Sequence, residues 1–371
     1  MLYNELGSTG VKVSAVSFGS MRWPSEELCR DIIHRGLDLG LNYIDTSTGY
    51  IRGRSQLWTG RALRGRRDET LVSSKCLFGK APTADEVRSN IDESLEAMGL
   101  ERFDFYQLWG LSKPEVLDEA LKPGGFVAGV RKAQDEGLIR VGLGFTFHGT
   151  PELFRTAVDS GAFCSATVSY NLLNRKEQEQ IAYAAERGVG IVVMNPLAGG
   201  ILGLSGDPAM DFLRGPGLGP CYGALRFLHA NPGVSTGIVG FRAVEEVDQA
   251  VATLEGAESL DESHRQDLIA RMDAVRKMEG DFCTGCGYCK DCPQGFNPPH
   301  LMGMMRDYAI YHVPEDRFRD WIFSRYPHQD IVSDIQLCTE CGDCERKCPQ
   351  HLKIVDQIRR VKEELGVPRQ G

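Results

Sequence analysis

The sequence predicts an α/β protein: a (β/α)8 barrel over residues 1–256, a helical linker over 257–280, and a small, mostly helical domain over 281–371. Three observations predict this organisation. Strand-like and helix-like segments alternate through the first 256 residues, eight of the 12 cysteines fall between Cys283 and Cys348, and the chain between those cysteines has helical spacing. A βα unit repeated eight times in roughly 250 residues is typical of a closed parallel barrel.

Eight strand-like runs predict the barrel strands. They cover residues 14–19, 41–45, 70–74, 103–108, 139–145, 166–170, 190–195 and 236–240. Helical apolar spacing between them predicts helices that include 25–39, 83–98, 151–158 and 176–186. Thr83 and Glu86 have the capping-box spacing that starts a helix. A doubly wound open sheet is the alternative, but no Gly-x-Gly-x-x-Gly follows the first strand.

Composition excludes several function classes. The 371 residues are 42% hydrophobic and 25% charged, which is ordinary for a globular protein. A net charge of -9 argues against a nucleic-acid partner, because such a partner needs a basic face. No apolar run has the length of a membrane span, and the first residues lack the pattern of a secretory leader. We therefore expect a cytoplasmic protein with neither nucleic acid nor membrane as partner.

Three side chains at predicted strand ends form a candidate acid-base site. Asp45 ends the second run, Tyr50 follows five residues later, and Lys75 ends the third run. Catalytic groups collect at the C-terminal ends of the strands of a parallel barrel. A lysine ammonium beside a tyrosine stabilises the phenolate, and an aspartate holds the lysine charged and in place. Each residue alone is equally consistent with turn and N-cap chemistry.

The order Asp45, Tyr50, Lys75 resembles the catalytic core of the aldo/keto reductase superfamily, and residues 103–108, 144–148, 170–174, 194–200 and 232–236 are similar to it as well. The resemblance covers nearly the whole barrel. It implies NAD(P)H-dependent reduction of a carbonyl on a small organic substrate, or the reverse oxidation of an alcohol. It also implies that Tyr50 is the proton donor, that Lys75 tunes it, and that Asp45 anchors the lysine.

The chain departs from the family pattern at the end of the fourth strand. Members of the family have histidine in Gln-Leu-His, whereas this chain has Gln107, Leu108 and Trp109. Tryptophan offers one indole N–H and a large apolar face. Trp109 is therefore a candidate to hydrogen-bond the carbonyl, to stack on a ring, or to fill the pocket. His148, after the fifth strand, is a candidate to compensate.

The resemblance also implies contacts with NADP(H) or NAD(H). Thr146 and His148 fall where the family binds the nicotinamide carboxamide, and Thr167 stands where a glutamine is expected. Arg242 would favour NADPH by pairing with a 2'-phosphate, and Gly240 opens a turn before a helix that can cradle phosphate. The remaining predicted contacts are Asn171, Pro196, Leu197 and Glu246.

The cysteines of the C-terminal domain form two motifs that resemble paired ferredoxin motifs. The second matches C-x2-C-x2-C-x3-C-P, and the first has one residue fewer before its last cysteine. In two-cluster ferredoxins the fourth cysteine of each run serves the other cluster. This logic predicts two 4Fe-4S clusters in a ferredoxin-like domain, one held by Cys283, Cys286, Cys289 and Cys348 and the other by Cys338, Cys341, Cys344 and Cys292. Two four-cysteine zinc sites are the alternative.

Helical spacing in the second half predicts helices over 261–279, 297–311, 316–325 and 352–365. In the barrel, the Gly- and Pro-rich segment 198–221 is predicted to be a lid. Its apolar residues, together with Trp23 and Trp109, favour a substrate with apolar or ring character.

Three functions remain open at this stage. The first is an NAD(P)H-dependent reductase whose clusters are either an electron relay or a structural element. The second is an iron-sulfur electron carrier whose barrel has lost carbonyl reduction, and the third is a redox-neutral enzyme that uses a bound nicotinamide. Nicotinamides exchange hydride whereas clusters pass single electrons, so a flavin or a redox partner protein is not excluded.

Overall fold

The computed structural model describes residues 1–203, 208–254, 262–277, 283, 285–310, 314–325 and 328–368. The chain forms two compact units, Met1–Leu197 with Leu213–Arg265, and Ala198–Phe212 with Gln266–Gly371. The domain boundaries predicted near 256 and 280 lie outside the described residues and stay predictions. Within the ranges given above, no helix is long and apolar enough to cross a membrane.

The first unit is built on a closed parallel barrel, as predicted. Its strands and those of a small hairpin are β1 (Tyr3–Glu5), β2 (Lys12–Ser14), β3 (Val16–Gly19), β4 (Tyr43–Asp45), β5 (Leu71–Leu77), β6 (Phe103–Leu111), β7 (Ile139–Phe147), β8 (Ser165–Ser169), β9 (Gly190–Met194) and β10 (Thr236–Val239). Strands β3 to β10 pair in chain order, and β10 pairs with β3 to close the barrel.

Three strands extend beyond their predicted ends. β5, β6 and β7 end at Leu77, Leu111 and Phe147, two or three residues later than the apolar runs suggest. The reason is pairing between neighbours, since Leu77 is in register with Trp109 and Leu111 with Phe147. These extensions lie at the C-terminal ends of the strands, so the barrel is taller on the side formed by β5, β6 and β7.

A hairpin that is not among the predicted strands covers the opposite end. β1 pairs antiparallel with β2. Leu6 and Val13 of this hairpin are fully buried in one apolar cluster with residues near the N-terminal ends of barrel strands, namely Tyr43, Leu71, Phe105, Val192 and Ile238. The barrel is therefore plugged at its N-terminal end by apolar side chains, and the C-terminal end is left for chemistry.

Helices of the first unit follow the strands. They are α1 (Glu26–Asp38), α2 (Arg54–Ala62), α3 (Ala84–Met98), α4 (Pro114–Leu121), α5 (Phe126–Asp135), α6 (Pro151–Asp159), α7 (Gln178–Glu186), α8 (Cys221–His229) and α9 (Val244–Leu254). The predicted capping box is confirmed, because the Thr83 side chain accepts from the Glu86 backbone while the Glu86 carboxylate accepts from the Thr83 backbone.

The second unit is mostly helical. α10 (Glu262–Lys277) begins in the first unit, and α11 (Pro298–Ile310), α12 (Phe318–Arg325), α13 (His328–Gln336), α14 (Asp343–Arg346) and α15 (Ile354–Leu365) follow. α13 is not among the predicted helices. The unit has its own core, in which Phe296, Leu301, Ile322, Ile335 and Ile358 pack with buried cysteines.

Candidate functional site

Asp45 and Lys75 form a buried ion pair at the mouth of the barrel. Asp45 is the last residue of β4, and Lys75 lies on the adjacent strand β5. The ammonium donates to Asp45 Oδ1, and the two side chains are 2% and 1% exposed for Lys75 and Asp45 respectively. Burying both charges is costly unless they are paired, so each residue holds the other in place.

Tyr50 lies beside this pair on a sharply turned segment. The Lys75 ammonium is 4.9 Å from the centroid of the Tyr50 ring. Immediately after Tyr50, Ile51 and Arg52 have left-handed backbone angles, with φ of 51° and 56°. A β-branched residue rarely adopts this conformation, which costs on the order of 1–3 kcal/mol and is concentrated at functional sites. The turn lets α2 begin at Arg54, four residues after the tyrosine.

Trp109 packs edge-on against Tyr50. The two ring centroids are 5.7 Å apart at an interplanar angle of 78°. The far edge of the indole lies at Gly49, where an added Cβ would come within 3.2 Å of it, so glycine leaves the room that the tryptophan occupies. Within the described part of the chain, the Trp109 side chain makes this ring contact and no hydrogen bond. Its indole N–H is therefore available to a ligand.

The strand irregularity at Trp109 is held by a threonine. The pairing of β6 with β7 shifts register between Leu108 and Leu111, and Gly110 within that interval has a φ of 85°. The Gly110 N–H donates to Thr146 Oγ1 over 2.7 Å. Such bulges commonly redirect a side chain beside an active site. Thr146, predicted as a nicotinamide contact, therefore also supports the backbone next to Trp109.

A buried glutamine that the sequence analysis did not single out connects the strands. Gln107 Nε2 donates to Asp45 Oδ2 and to Ser73 Oγ, each over 2.8 Å. Its Oε1 accepts from Thr167 Oγ1 over 2.6 Å. The available signal was a polar side chain two residues before Trp109 in a largely apolar strand, because alternate residues of a strand face the same side. The threonine at the expected glutamine position is thus part of the same network.

The other residues predicted to contact the nicotinamide end of the cofactor also lie at the C-terminal side of the barrel. His148 follows β7, is half-buried, and donates its backbone N–H to the Leu111 carbonyl over 2.9 Å. Asn171 follows β8, and its Oδ1 accepts from the backbone of Leu173 and Asn174. Its Nδ2 donates to the Asn195 carbonyl over 2.9 Å. Asn171 therefore shapes the loop after β8, and its contact with a cofactor stays a prediction.

The predicted contacts further along the chain sit after β9 and β10. Pro196 is buried and Leu197 is half-buried. Gly240 and Arg242 are exposed, and the Arg242 backbone N–H donates to Glu246 Oε2 over 2.7 Å. Glu246 thereby occupies one backbone donor just before α9, close to where phosphate binding is predicted.

The sequence-based idea of an apolar pocket needs a correction. Trp23 is 3% exposed and donates its indole N–H to Thr59 Oγ1 over 3.2 Å, so it is core and does not line a pocket. In the predicted lid, Ile201, Leu202 and Met210 are also buried, and Leu204 lies outside the described residues. These side chains are used in packing, whereas Phe212 of the lid segment and Trp109 are half-buried.

The eight clustered cysteines surround two cavities in the second unit. The first is lined by Cys283, Cys286, Cys289 and Cys348. The second is lined by Cys292, Cys338, Cys341 and Cys344, and Cys289 lines it as well. Each cavity thus takes three cysteines from one motif and the fourth from the other. Burial raises the pKa of Cys289 to about 12 and that of Cys344 to about 11, so these thiols release protons when they bind iron.

The zinc alternative needs four sulfurs around a single ion, roughly 3.8 Å apart given zinc–sulfur bonds of about 2.3 Å. Among the described residues, no group of three His, Cys, Asp or Glu side chains is arranged to hold one metal ion. Four thiols around each cavity are the ligand set of a 4Fe-4S cluster.

Comparisons with known proteins support both the barrel and the cysteine-rich C-terminal region. A model of the aldo/keto reductase family matches residues 15–268, and a model of a 4Fe-4S dicluster domain matches residues 282–354. L-galactose dehydrogenase of Arabidopsis thaliana is 27% identical over 306 residues, which cover 73% of this chain and 92% of that protein. NADH-specific methylglyoxal reductase of Escherichia coli is 25% identical over 57% of this chain and 71% of that protein.

Solved structures show the same barrel. The holo form of aldo-keto reductase AKR11C1 from Bacillus halodurans superposes with a TM-score of 0.64 at 25% identity and covers 73% of this chain and 96% of that one. An aldo/keto reductase from Klebsiella pneumoniae, solved in complex with NADP and acetate, has a TM-score of 0.60 at 21% identity over 71% of this chain and 92% of that one. The chain therefore belongs to the aldo/keto reductase family of NAD(P)-dependent oxidoreductases, and it carries a C-terminal 4Fe-4S domain.

Proposed function

We propose that the barrel reduces the carbonyl group of a small organic substrate with NAD(P)H, or oxidises the corresponding alcohol, with Tyr50 as the proton donor. The observation that supports this most directly is the Lys75 ammonium, held by Asp45 and lying 4.9 Å from the Tyr50 ring. The nicotinamide, when bound, supplies the hydride to the carbonyl carbon. The names of the two curated relatives, a dehydrogenase and a reductase, support a carbonyl or alcohol substrate.

Residues of the chain itself donate the proton and stabilise the charge that is left behind. Tyr50 gives its hydroxyl proton to the carbonyl oxygen as negative charge develops there. The Lys75 charge stabilises the phenolate that remains, and Asp45 keeps the lysine oriented. Since Asp45 and Lys75 are excluded from water, their interaction with the reacting groups is strong.

Trp109 supplies a second donor to the carbonyl oxygen in this proposal. Its indole N–H is not used by any described residue, and its ring already packs on Tyr50. Histidine would change its charge near neutral pH, whereas tryptophan does not titrate. The contribution of Trp109 is therefore independent of pH. Its ring also presents an apolar wall to the substrate.

Thr146, His148, Asn171, Pro196, Leu197, Gly240, Arg242 and Glu246 are proposed to hold the NAD(P)H. The exposed Arg242 guanidinium, with its planar fork, favours NADPH because it suits a 2'-phosphate. The position of Thr146 and His148 beside Trp109 supports the nicotinamide end of the site at the barrel mouth.

The second unit is proposed to bind two 4Fe-4S clusters. The ligands are Cys283, Cys286, Cys289 and Cys348 for the first, and Cys292, Cys338, Cys341 and Cys344 for the second. Clusters pass one electron at a time. We therefore propose exchange with a redox partner protein, and a flavin between hydride and electrons is compatible with this scheme. The buried Asp45–Lys75 pair argues against a barrel that has lost its chemistry, because an unused buried pair has no stabilising advantage over apolar residues.

Replacement of Tyr50 by Phe tests the proton donor. We expect kcat for carbonyl reduction to fall by about 10²–10⁴-fold, while NADPH still quenches or shifts the protein fluorescence with unchanged affinity. Tyr183→Phe is the control, since the Tyr183 hydroxyl donates to Asp159 between α7 and α6, outside the Asp45–Lys75 network. Unchanged turnover in Tyr50→Phe would show that another group donates the proton.

A pair of substitutions tests Trp109. Trp109→Phe keeps a ring but removes the N–H, and we expect kcat to fall by roughly 2–10-fold, the value of one neutral hydrogen bond. Trp109→His restores a donor and is expected to recover activity with a new pH dependence near neutrality. If Trp109→Phe is as active as the wild type, Trp109 only shapes the pocket.

A further inference from the structure

Lys362 occupies a position where a helix of this kind should have an apolar residue. In α15, Ile354, Ile358 and Val361 are buried, and position 362 falls on the same face by the helical spacing of four and eight residues. The Lys362 side chain is 1% exposed. Lysine is almost never fully buried unless it is paired, because removing an ammonium group from water is costly.

The buried ammonium contacts the loop of the second cysteine motif. Its Nζ donates to the carbonyl oxygen of Cys338 over 2.8 Å and lies 3.3 Å from Glu340 Oε1. Glu340 also accepts from Arg359 Nε over 2.8 Å. The Lys362 charge is thus held out of water against Cys338, which lines the second cavity. The Glu340 carboxylate beside it is shared by Lys362 and Arg359.

Asp343, the next carboxylate along the chain, also contacts two cations. Asp343 pairs with Arg346 at 3.2 Å and with Lys347 at 2.5 Å. Arg359 is also paired with Asp356 at 3.1 Å, and Glu345 acts on Cys344, so the four cations around the second cavity face four carboxylates. Glu340 and Asp343 are among the lining residues.

The first cavity has a different electrostatic environment. Its described lining beyond the thiols is uncharged and includes Pro299, Met302, Leu352 and Ile354. Arg306 and Asp307, whose charges act on Cys283, form an ion pair with each other at 2.6 Å and largely cancel. The buried ammonium of Lys362 therefore has no counterpart in the described lining of the first cavity.

The contact with Glu340 gives Lys362 a structural role, but the Cys338 carbonyl by itself does not require a lysine. A neutral donor such as glutamine would satisfy the Cys338 carbonyl without burying a charge. A buried positive charge, in contrast, stabilises a cluster more in its reduced state, which carries one more negative charge. Net charge, hydrogen bonding and solvent exposure around a cluster are what set its reduction potential.

We propose that Lys362 raises the reduction potential of the cluster held by Cys292, Cys338, Cys341 and Cys344, and that this cluster is the higher-potential member of the two. The inference rests on the two-cluster arrangement proposed above. It does not depend on the barrel chemistry. Electrons delivered to the domain would therefore collect at the second cluster.

The test is a potentiometric titration of the full-length protein under anaerobic conditions, followed by electron paramagnetic resonance. Iron and sulfide are measured first, and about eight irons per chain are required before any titration is interpreted. Lys362→Gln keeps a donor for the Cys338 carbonyl and removes the charge. We expect it to lower one midpoint by about 59 mV or more, which is a tenfold change in the ratio of reduced to oxidised cluster for one electron.

Two further variants make the result specific. Lys362→Arg keeps the charge and should leave that midpoint close to the wild-type value. Lys353→Met removes an equal charge from an exposed position just before α15 and should move neither midpoint. Cys341→Ser changes the spectrum of the second cluster and so identifies which midpoint belongs to it.

The proposal is overturned if Lys362→Gln, with full iron content, titrates like the wild type. It is also overturned if Lys362→Arg lowers the midpoint equally, or if the shifted midpoint belongs to the first cluster. Should Lys362→Gln lose iron, Lys362→Met replaces it and is read in the same way. Four irons per wild-type chain would instead refute the two-cluster arrangement, and absence of NADPH oxidation would bear on the barrel alone.

Discussion

Gln107 donates to Asp45 across 2.8 Å in the barrel, so the carboxylate that anchors Lys75 is itself anchored. Asp45 uses Oδ1 for the lysine and Oδ2 for the glutamine. Ser73 and Thr167 fix the glutamine from two other strands. The orientation of the lysine at Tyr50 therefore depends on four strands, β4, β5, β6 and β8.

This arrangement predicts that Gln107 is a positioning residue. Gln107→Leu removes a donor to a charged carboxylate, an interaction worth about 1.5–3 kcal/mol. We expect kcat for carbonyl reduction to fall roughly 10–100-fold while the affinity for NADPH is retained. Steady-state kinetics and a fluorescence titration of the same preparation separate the two effects.

Gln56 offers a matched control for that experiment. It is also a buried glutamine beside β5, where it donates to Ser74 Oγ over 3.0 Å, but no hydrogen bond joins it to Asp45. Gln56→Leu should leave kcat within a few-fold of the wild type. Equal losses in the two variants would mean that Gln107 acts only through general packing.

Asp104 is predicted to be important for stability and not for catalysis. It is 1% exposed, pairs with Arg67 at 2.8 Å and Arg140 at 2.5 Å, and accepts from the Val72 N–H. Asp104 lies near the start of β6, whereas Lys75 lies toward the C-terminal end of β5 and Tyr50 follows β4. Asp104→Ala removes the acceptor of the Val72 N–H and of two guanidinium groups that are 21% and 47% exposed, and it should reduce the free energy of unfolding by about 1–3 kcal/mol.

Denaturant unfolding checks the stability effect of Asp104. Asp68→Ala is the control, because the Asp68 side chain is 92% exposed and lies 3.6 Å from Arg102. Exposed pairs contribute about 0–1 kcal/mol, so this variant should unfold almost like the wild type. A similar loss in both variants would contradict the assignment.

His229 is predicted to make the barrel less stable in acid. Both of its ring nitrogens are buried without a hydrogen-bond partner among the described residues, and burial lowers its pKa from 6.5 to about 4. The unfolded chain therefore binds the proton more readily than the folded chain does. As the pH falls from about 6.5 toward 4, the contribution of His229 to the free energy of unfolding decreases.

His229→Leu should remove this dependence. We expect the variant to gain more stability relative to the wild type at pH 5 than at pH 8, because the proton-linked loss is absent and an apolar side chain suits the site. Denaturant midpoints at the two pH values provide the measurement. Parallel pH profiles for the variant and the wild type would count against the prediction.

Features encoded by neighbouring residues could be predicted from the sequence. The eight barrel strands and the Thr83 cap follow from apolar spacing and side-chain chemistry within a few residues, and the structure confirms them. Asp45, Tyr50 and Lys75 could be singled out because strand ends in a parallel barrel converge. The structure brings these three together, and their catalytic roles stay a prediction.

Other features depend on which strands and helices meet. The longer β5, β6 and β7 arise from pairing with neighbours, and the hairpin β1–β2 is stabilised by apolar strand starts that are distant in sequence. Trp23 is an aromatic residue of the kind that can line a pocket, but it lies in the core. Its indole N–H donates there to Thr59 of α2.

The sequence by itself determined the barrel class, the positions of Asp45, Tyr50 and Lys75 at or just after strand ends, and the two cysteine motifs, because each is encoded in short-range periodicity or spacing. Only the tertiary structure decided that Gln107 meets Asp45 and Thr167, and that Lys362 meets Cys338. A buried polar group must find a partner, and that partner lies 24 to 62 residues away in these three cases. Its identity is set by strand register and helix packing, which no local pattern specifies.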